Sequence, residues 1–553
     1  MKKNITKYTI TLATLAVLLV MGSCSKKLDE VYLNPNAQVK QPIEEILPGI
    51  IAYMTISQQL GSTNPATYGL QHEGQFIGRF IQNWATNSSG NQYDQMGDNF
   101  VNKSDNMGSI WAMFYYGQGA NIERVIEWGT EEKKWDYVGV AQAIRAWGWL
   151  VLTDIHDDVI LYEAFHPDQL VFNYNTQPEV YDEVKRVCFA ALSNLSKTGD
   201  GVNPTNLAIS DKYMNGGDIN KWKKFVYGIL ARTYHRYTNK SSYQPDSVIY
   251  YCDLAMQTNT ENTFAKWSNA GANGTFSYWG PYRGNIGTFR QTKFVADLMR
   301  GVNAQFPTGM NDPRAWYIIR ENPNGTFRGI IPNKGGLSAG LARGDSSANF
   351  WGGSFQTTTA PSNDDNCRYI FKNGPIFPII TASEIQFIKA EALLRKGGNN
   401  AAALAAYRKG IELNFAQLRA DYEVSVPIAN RITDGTRDSY LANPLVIPSA
   451  ANLTLSHIMM QKYIAMYGWG ILETWVDMRR FHYTDLDPVT NLQVYREFAP
   501  PTGTDLYTNN GGKWIYKHRP RYNSEYLYNV AELNRLGAFD LTFITRECWF
   551  SKF

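Results

Sequence analysis

The 553-residue sequence predicts a mostly α-helical fold, an array of antiparallel helix hairpins that carries a large loop-rich variable region. Three observations predict it. First, apolar residues recur at helical spacing through much of the chain. The clearest case is Val180, Tyr181, Val184, Val187, Cys188, Ala191, Leu192 and Leu195, which fall on one helix face. Second, Glu384–Leu413 reads as a helix, a Gly-Gly-Asn-Asn turn and a second helix. One hairpin cannot bury its own apolar face, so at least three are expected to stack. Third, residues 260–376 break the helical pattern: Gly, Asn, Pro, Ser and Thr dominate, and Asn273-Gly274, Asn324-Gly325 and Asn373-Gly374 mark turns. An irregular segment of that length inside a compact domain is usually functional.

The elements follow from the N-terminus. Lys2, Lys3 and Lys7 precede the apolar run Ile10–Val20. That run is shorter than the roughly 20 residues a membrane span needs, so residues 1–23 are expected to be a secretory signal. Met21-Gly22-Ser23-Cys24 resembles a bacterial lipobox. Its small residues let a peptidase close on the backbone, and Cys24 is the expected lipidation site. Residues 24–36 are polar, with a turn at Asn34-Pro35-Asn36, and are expected to be a lipidated tether. Residues 37–553 are expected to form a single composite domain, with the loop-rich insert at about 260–376. Helices are expected at 42–59, 104–128, 135–153, 177–196, 219–237, 247–257, 382–396, 401–418 and 453–481, and 483–553 as mostly irregular. In the 384–413 hairpin, Ala403, Leu404, Tyr407 and Ile411 share a face. Ala403 and Tyr407 stand near the small and aromatic consensus positions of a tetratricopeptide repeat, which this hairpin resembles.

Charge and cysteine content exclude several functions. The chain has 53 Lys+Arg and 50 Asp+Glu; three of the basic residues and none of the acids lie in 1–23, so the mature chain carries 50 of each. No basic surplus remains to draw it to nucleic acid or to an anionic membrane surface. Besides Cys24, the cysteines Cys188, Cys252, Cys367 and Cys548 are widely spaced with no CxxC pair, which argues against a zinc or redox motif and for buried free thiols. Aromatic residues make up 14% of the chain, and several stand in Gly/Asn-rich stretches where a packed core explains them less well.

Three stretches carry a resemblance. Gln461-Lys462-Tyr463 runs through Trp469, Glu473, Trp475 and Asp477 to Arg479-Arg480; Ile379–Arg395 forms the first helix of the hairpin; and Val159–Asp182 holds Tyr162-Glu163-Ala164 and Tyr174-Asn175-Thr176-Gln177-Pro178. Together with the lipobox, they make the chain resemble the SusD/RagB family of nutrient-binding outer-membrane lipoproteins across nearly its whole length. The resemblance implies a SusD-like fold in which four tetratricopeptide-type helix pairs support a variable region. It also implies lipid anchoring in the outer membrane with exposure at the cell surface, and a SusC-like TonB-dependent transporter as partner, over which the protein closes as a lid. The ligand it implies is an oligosaccharide or, in some members, a peptide. Read from the residues alone, the same stretches are structural: Asp477 and Arg480 are i, i+3 and can pair, and Trp469 and Trp475 are expected in the core.

No catalytic constellation is present: GxSxG, HExxH, P-loop and GxGxxG motifs are all missing, so the expected protein is not an enzyme and needs no cofactor or metal. His156-Asp157-Asp158 reads as a helix-end turn and Asp364-Asp365-Asn366 as a polar loop rather than as metal ligands. A glycoside hydrolase needs only two suitably spaced carboxylates, so it stays open as a rival, as does a pure protein-interaction scaffold. For binding, a sugar offers an apolar C–H face and a hydroxyl edge; aromatic rings suit the first, and amides and guanidiniums the second. The stretches with that mixture give Arg79, Asn83, Trp84 and Tyr93 in an early loop, Tyr278, Trp279, Tyr282 and Arg283 in a middle loop, and Trp351 beyond them as expected ligand contacts.

Overall fold

The computed structural model describes residues 40–54, 70–87, 108–166, 168–267, 276–335, 346–353 and 357–553. Cys24, the tether and Tyr93 lie outside the described residues. Ile43–Phe553 form one compact unit by their internal contacts. Its main helices are α1 (Ile43–Ala52), α2 (Leu70–Phe80), α3 (Ala120–Glu131), α4 (Trp135–His156), α5 (Gln177–Asn194), α6 (Ile219–His235), α7 (Pro245–Leu254), α8 (Ala382–Lys396), α9 (Asn400–Asp421), α10 (Leu455–Ala465) and α11 (Ile471–Arg480).

Local chemistry sets where these helices begin. At α5 the Thr176 backbone N–H and hydroxyl both donate to Glu179, at 2.7 Å each, and Pro178 stands in the first turn. The stripe read from the sequence then faces inward, with Val180, Tyr181, Val184, Val187, Cys188 and Ala191 buried. Asn399 caps α9 by accepting from the Ala402 N–H, and the α8–α9 turn uses Gly397 and Gly398 at φ 75° and 77°. Each helix from α3 to α9 packs on the next in chain order, α1 packs on α3, and α10 packs on both α8 and α9. The 384–413 hairpin therefore has its stacking partners, although more than a hundred residues separate α7 from α8 in sequence.

That separation is bridged at the neck of the insert. β2 (Thr263–Lys266) pairs antiparallel with β4 (Ile376–Ile380), from Thr263 opposite Ile380 to Lys266 opposite Ile376, with a register shift between Thr263 and Phe264. The chain leaves and re-enters the helix array through this two-stranded ribbon, and α8 starts directly after it, capped by Thr381. A second ribbon, β1 (Trp84–Thr86) with β3 (Phe289–Gln291), ties the insert to the segment after α2.

Buried charges lock the array from inside. Arg232 on α6 meets Glu384 on α8 at 2.7 Å, and Arg236 meets Asp154 on α4 at 2.8 Å and Glu473 on α11 at 2.6 Å. Arg480 pairs with Glu391 at 2.9 Å and with Asp477 at 2.7 Å, the i, i+3 pair expected from the sequence, while Lys462 takes the other Asp477 oxygen. Arg479 stacks 3.7 Å from the Trp475 ring and donates to the Asp154 and Tyr516 carbonyls. Removing one partner from such a pair strands a charge at a cost of about 3–5 kcal/mol. The doublet is thus structural, and Trp469 and Trp475 are core residues as expected. Cys188, Cys252, Cys367 and Cys548 are buried free thiols. Asp157 ends α4 at φ 71° and pairs with Lys517, the helix-end turn read from the sequence. Among the described residues no helix is long and apolar enough to cross a membrane.

Two expectations need correction. The predicted helix 453–481 is two helices, α10 and α11, broken at Met466–Gly470. Gly468 sits at φ 78°, and a Cβ there would come within 2.9 Å of Ile370 Cδ1. The stretch 79–94, read as a loop, begins inside α2 and continues into β1.

Candidate functional site

The site is built on α2. Its sequence Leu-Gln-His-Glu-Gly-Gln-Phe-Ile-Gly-Arg-Phe has an inner face with Glu73, Gly74, Ile77, Gly78 and Phe80 buried. Its outer residues, His72, Gln75, Phe76 and Arg79, follow the i, i+3, i+4, i+7 spacing of one helix side and are only partly covered. After α2 the chain turns sharply through Gln82 at φ 59°, held by Asn83 N–H on the Gly78 carbonyl and by Gln82 Nε2 on the Ala499 carbonyl. This turn sends Trp84 back against the helix.

Trp84 is the centre of a ring cluster. Its Nε1 donates to the Gln75 carbonyl at 2.9 Å. Trp279 at 5.2 Å, Phe289 at 5.8 Å, Phe350 at 6.1 Å, Phe371 at 6.3 Å and Tyr467 at 6.5 Å surround it. Gly78 makes this possible, since a Cβ there would sit 2.5 Å from the Trp84 ring. Trp351 Nε1 donates to the Trp279 carbonyl, which extends the cluster. Relative exposures are 0% for Trp84, 0% for Trp279 and 2% for Trp351. The sequence expectation that these indoles offer flat faces to a ligand is therefore corrected: all three are buried, Trp84 and Trp279 against other rings. Asn83 is also internal, accepting from the Gly468 N–H at 2.8 Å, and so holds the α10–α11 break. Beneath the cluster lies a cavity of about 50 Å³ lined by Gln71, Gly74, Trp279, Trp469 and Ile471, room for a water or two and not for a sugar ring.

The remaining expected residues reach the surface or come close to it. Tyr278 is buried, but its hydroxyl accepts from Gln75 Nε2 at 2.9 Å, and its ring meets His72 edge-on. Tyr282 is 53% exposed; its ring leans on Phe276 at 4.7 Å, and its N–H donates to Asn373 Oδ1. Arg283, in the same turn, is half-buried, and desolvation lowers its pKa. The Arg79 guanidinium lies over the Phe76 ring at 5.0 Å and the Phe289 ring at 5.1 Å, and burial lowers its pKa to about 10.

The loops that bear these residues are fixed from below. Arg290 gives its guanidinium to the Gly287, Phe289 and Thr357 carbonyls, and Arg320 to those of Phe350 and Asn366. The structure thus brings Arg79, Tyr278, Tyr282 and Arg283 together with His72, Gln75 and Phe76, three residues that the sequence reading missed. Their helical spacing was the available signal, in a segment for which the sequence reading predicted no helix. What the group can do chemically is bind: a ring face and several N–H donors, with no acid among the seven. A separate groove of about 350 Å³ does contain Glu123 and Glu183, but Arg145 holds the first at 2.8 Å and Arg186 the second at 2.6 Å.

Residues 49–500 match the family model described as starch-binding, associating with outer membrane. Similar solved structures include a SusD/RagB family protein from Bacteroides thetaiotaomicron, at 18% identity and TM-score 0.64 over 92% of this chain and 99% of that one. A chitin-binding protein is similar at 20% identity and TM-score 0.65, covering 92% of this chain and all of that one. A SusD homolog from Bacteroides fragilis follows at 18% identity and TM-score 0.63, with 92% and 100% covered. Comparison with curated protein sequences gives no match.

Proposed function

The chain belongs to this SusD-like family of starch-binding proteins that associate with the outer membrane, and on that footing we propose that it is a surface lipoprotein that captures an oligosaccharide and delivers it to a TonB-dependent transporter as its lid. The observation that carries the reading is the family match across residues 49–500. In this reading Cys24 is acylated and the tether links the folded unit to the outer leaflet. Ligand lies across the outer side of α2 and the 276–285 turn, with the pyranose face on Tyr282 and hydroxyls on Arg79, Arg283 and Gln75. Tyr93 belongs to the same proposed contact set. A similar structure is that of a chitin-binding protein, which favours a glycan over a peptide.

The proposal includes capture without hydrolysis. Glycoside hydrolysis needs an acid and a base flanking the bond. The proposed contact residues include no carboxylate, and Glu123 and Glu183 are held by arginines in their separate groove. Two measurements test the reading. Affinity purification after gentle detergent extraction, from cells expressing the whole locus, should bring down a large β-barrel protein in near-equal amount; recovery as a lone monomer would count against the transporter role. Incubation with any glycan it binds should leave chain length unchanged, and new reducing ends abolished by one carboxylate substitution would establish a hydrolase instead.

A further inference from the structure

Buried guanidiniums in this protein are matched to acceptors. Arg232, Arg236, Arg314, Arg368 and Arg480 each meet a carboxylate, and Arg290, Arg320 and Arg479 each donate to backbone carbonyls. Arg79 is not. Among the described residues, no carboxylate or other hydrogen-bond acceptor meets its guanidinium, and its Nε is sealed from solvent without a partner. An uncompensated, largely buried charge is costly unless something pairs with it. Its neighbours are the rings of Phe76 and Phe289. Ring stacking offsets part of the cost and holds the guanidinium plane, yet it leaves the in-plane N–H donors of the fork unused.

A second cation stands in the same region. The charges of Arg79 and Arg283 both act on the Tyr278 hydroxyl, and Arg283 lies five residues after Tyr278 in the turn that follows it. The other groups facing Arg79 add no negative charge: Gln75 is an amide spent on Tyr278, and His72 is held neutral by burial, with its pKa lowered to about 4. Tyr282, the residue before Arg283 in the same turn, presents a ring that is 53% exposed. The Arg79 guanidinium, which meets no acid among the described residues, matches a sugar that carries a carboxylate or sulfate, because an anionic oxygen pair fits the arginine fork and a ring C–H face fits an exposed tyrosine such as Tyr282.

We propose that the glycan captured at this site is acidic, with its anionic group held by Arg79 and reinforced by Arg283 while the sugar ring rests on Tyr282. This rests on the glycan-binding reading given above and narrows it to a substrate class.

The test uses the full chain and five probes: polygalacturonate, the same polymer after carboxyl reduction, dextran sulfate, neutral dextran and polyglutamate. Polygalacturonate or dextran sulfate should bind, and the two together tell carboxylate from sulfate. Carboxyl reduction, or Arg79→Gln, should weaken acidic-glycan binding about 10- to 150-fold, the range of a lost charged hydrogen bond. Arg79→Lys keeps the charge without the fork and should fall in between. Arg79→Gln should melt at or above the wild-type temperature, since it removes an unpaired charge, so lost binding cannot be put down to misfolding. Equal affinity for polygalacturonate and its reduced form, or an Arg79→Gln protein that binds acid as before, overturns the inference. Binding confined to neutral dextran overturns it and leaves the family reading in place. Binding of polyglutamate alone makes the ligand a peptide and overturns it as well, and failure to bind any of the four polysaccharides refutes both readings.

Discussion

Replacing Trp84 by alanine measures whether the ring cluster is a foundation or a contact surface. The indole is fully buried among five aromatic neighbours and donates one hydrogen bond to the Gln75 carbonyl. Truncating a buried Trp to Ala costs about 3–5 kcal/mol, and the lost hydrogen bond adds about 1 kcal/mol, so about 5 kcal/mol is expected in all. Unfolding entropy of about 2.1 cal/mol/K per residue, over the roughly 510 residues of Ile43–Phe553, gives about 1.1 kcal/mol/K. The melting temperature should therefore fall by about 5 °C. Differential scanning calorimetry of the wild type, Trp84→Ala and Tyr282→Ala reads this directly; the tyrosine variant should melt within about 1 °C of wild type, because a half-exposed side chain contributes little to the core. If Trp84→Ala melts with the wild type while losing glycan affinity, the indole faces ligand and the packing argument fails.

Three further outcomes follow from the same structure. Tyr282→Ala should weaken binding of the captured glycan by about 5- to 150-fold, taking aromatic stacking at about 1–3 kcal/mol, and unchanged affinity by calorimetric titration would remove Tyr282 from the site. His235 lies 2.8 Å from Glu391, which favours its protonation, but burial, aided by the nearby Arg480, outweighs this and lowers its pKa to about 4. The folded protein thus stays neutral there while the unfolded chain gains a proton below about 6.5, so this contribution is whole above pH 6.5 and shed as pH falls toward 4. His235→Gln should flatten that part of the melting temperature against pH curve; an identical slope in the variant would refute the assignment. Cys24→Ala should shift the protein from the membrane to the soluble fraction, and unchanged partitioning with no lipid detected on Cys24 would reject the anchor.

The helix array was legible because its signals are local. The Thr176–Glu179 cap, the Val180–Ala191 stripe and the Gly397–Gly398 turn each act within a few residues, and the i, i+3 spacing of Asp477 and Arg480 announced their ion pair. Glycine was the main source of error. Gly78 lies inside α2, a helix the sequence reading did not predict, because Trp84 needs the space a side chain would take. Gly468 stayed hidden inside a helical pattern although it breaks the helix. The site was half legible for the same reason. Composition singled out aromatic loops, but it could not say which rings face inward, since that depends on partners such as Phe289, Phe350 and Phe371 that are distant in sequence. Arg79 stood out as a donor; that it meets no acceptor among the described residues was visible only in three dimensions.

The loops above α2 are held by rings packed beneath them and by arginines spent on backbone carbonyls, and not by the side chains they display. Drift at the displayed positions is therefore cheap in stability: Tyr282 and its exposed neighbours can be exchanged without loosening Trp84, Trp279 or Arg290. Such an arrangement separates inheritance of shape from inheritance of taste. One architecture can persist while the side chains it displays are exchanged residue by residue.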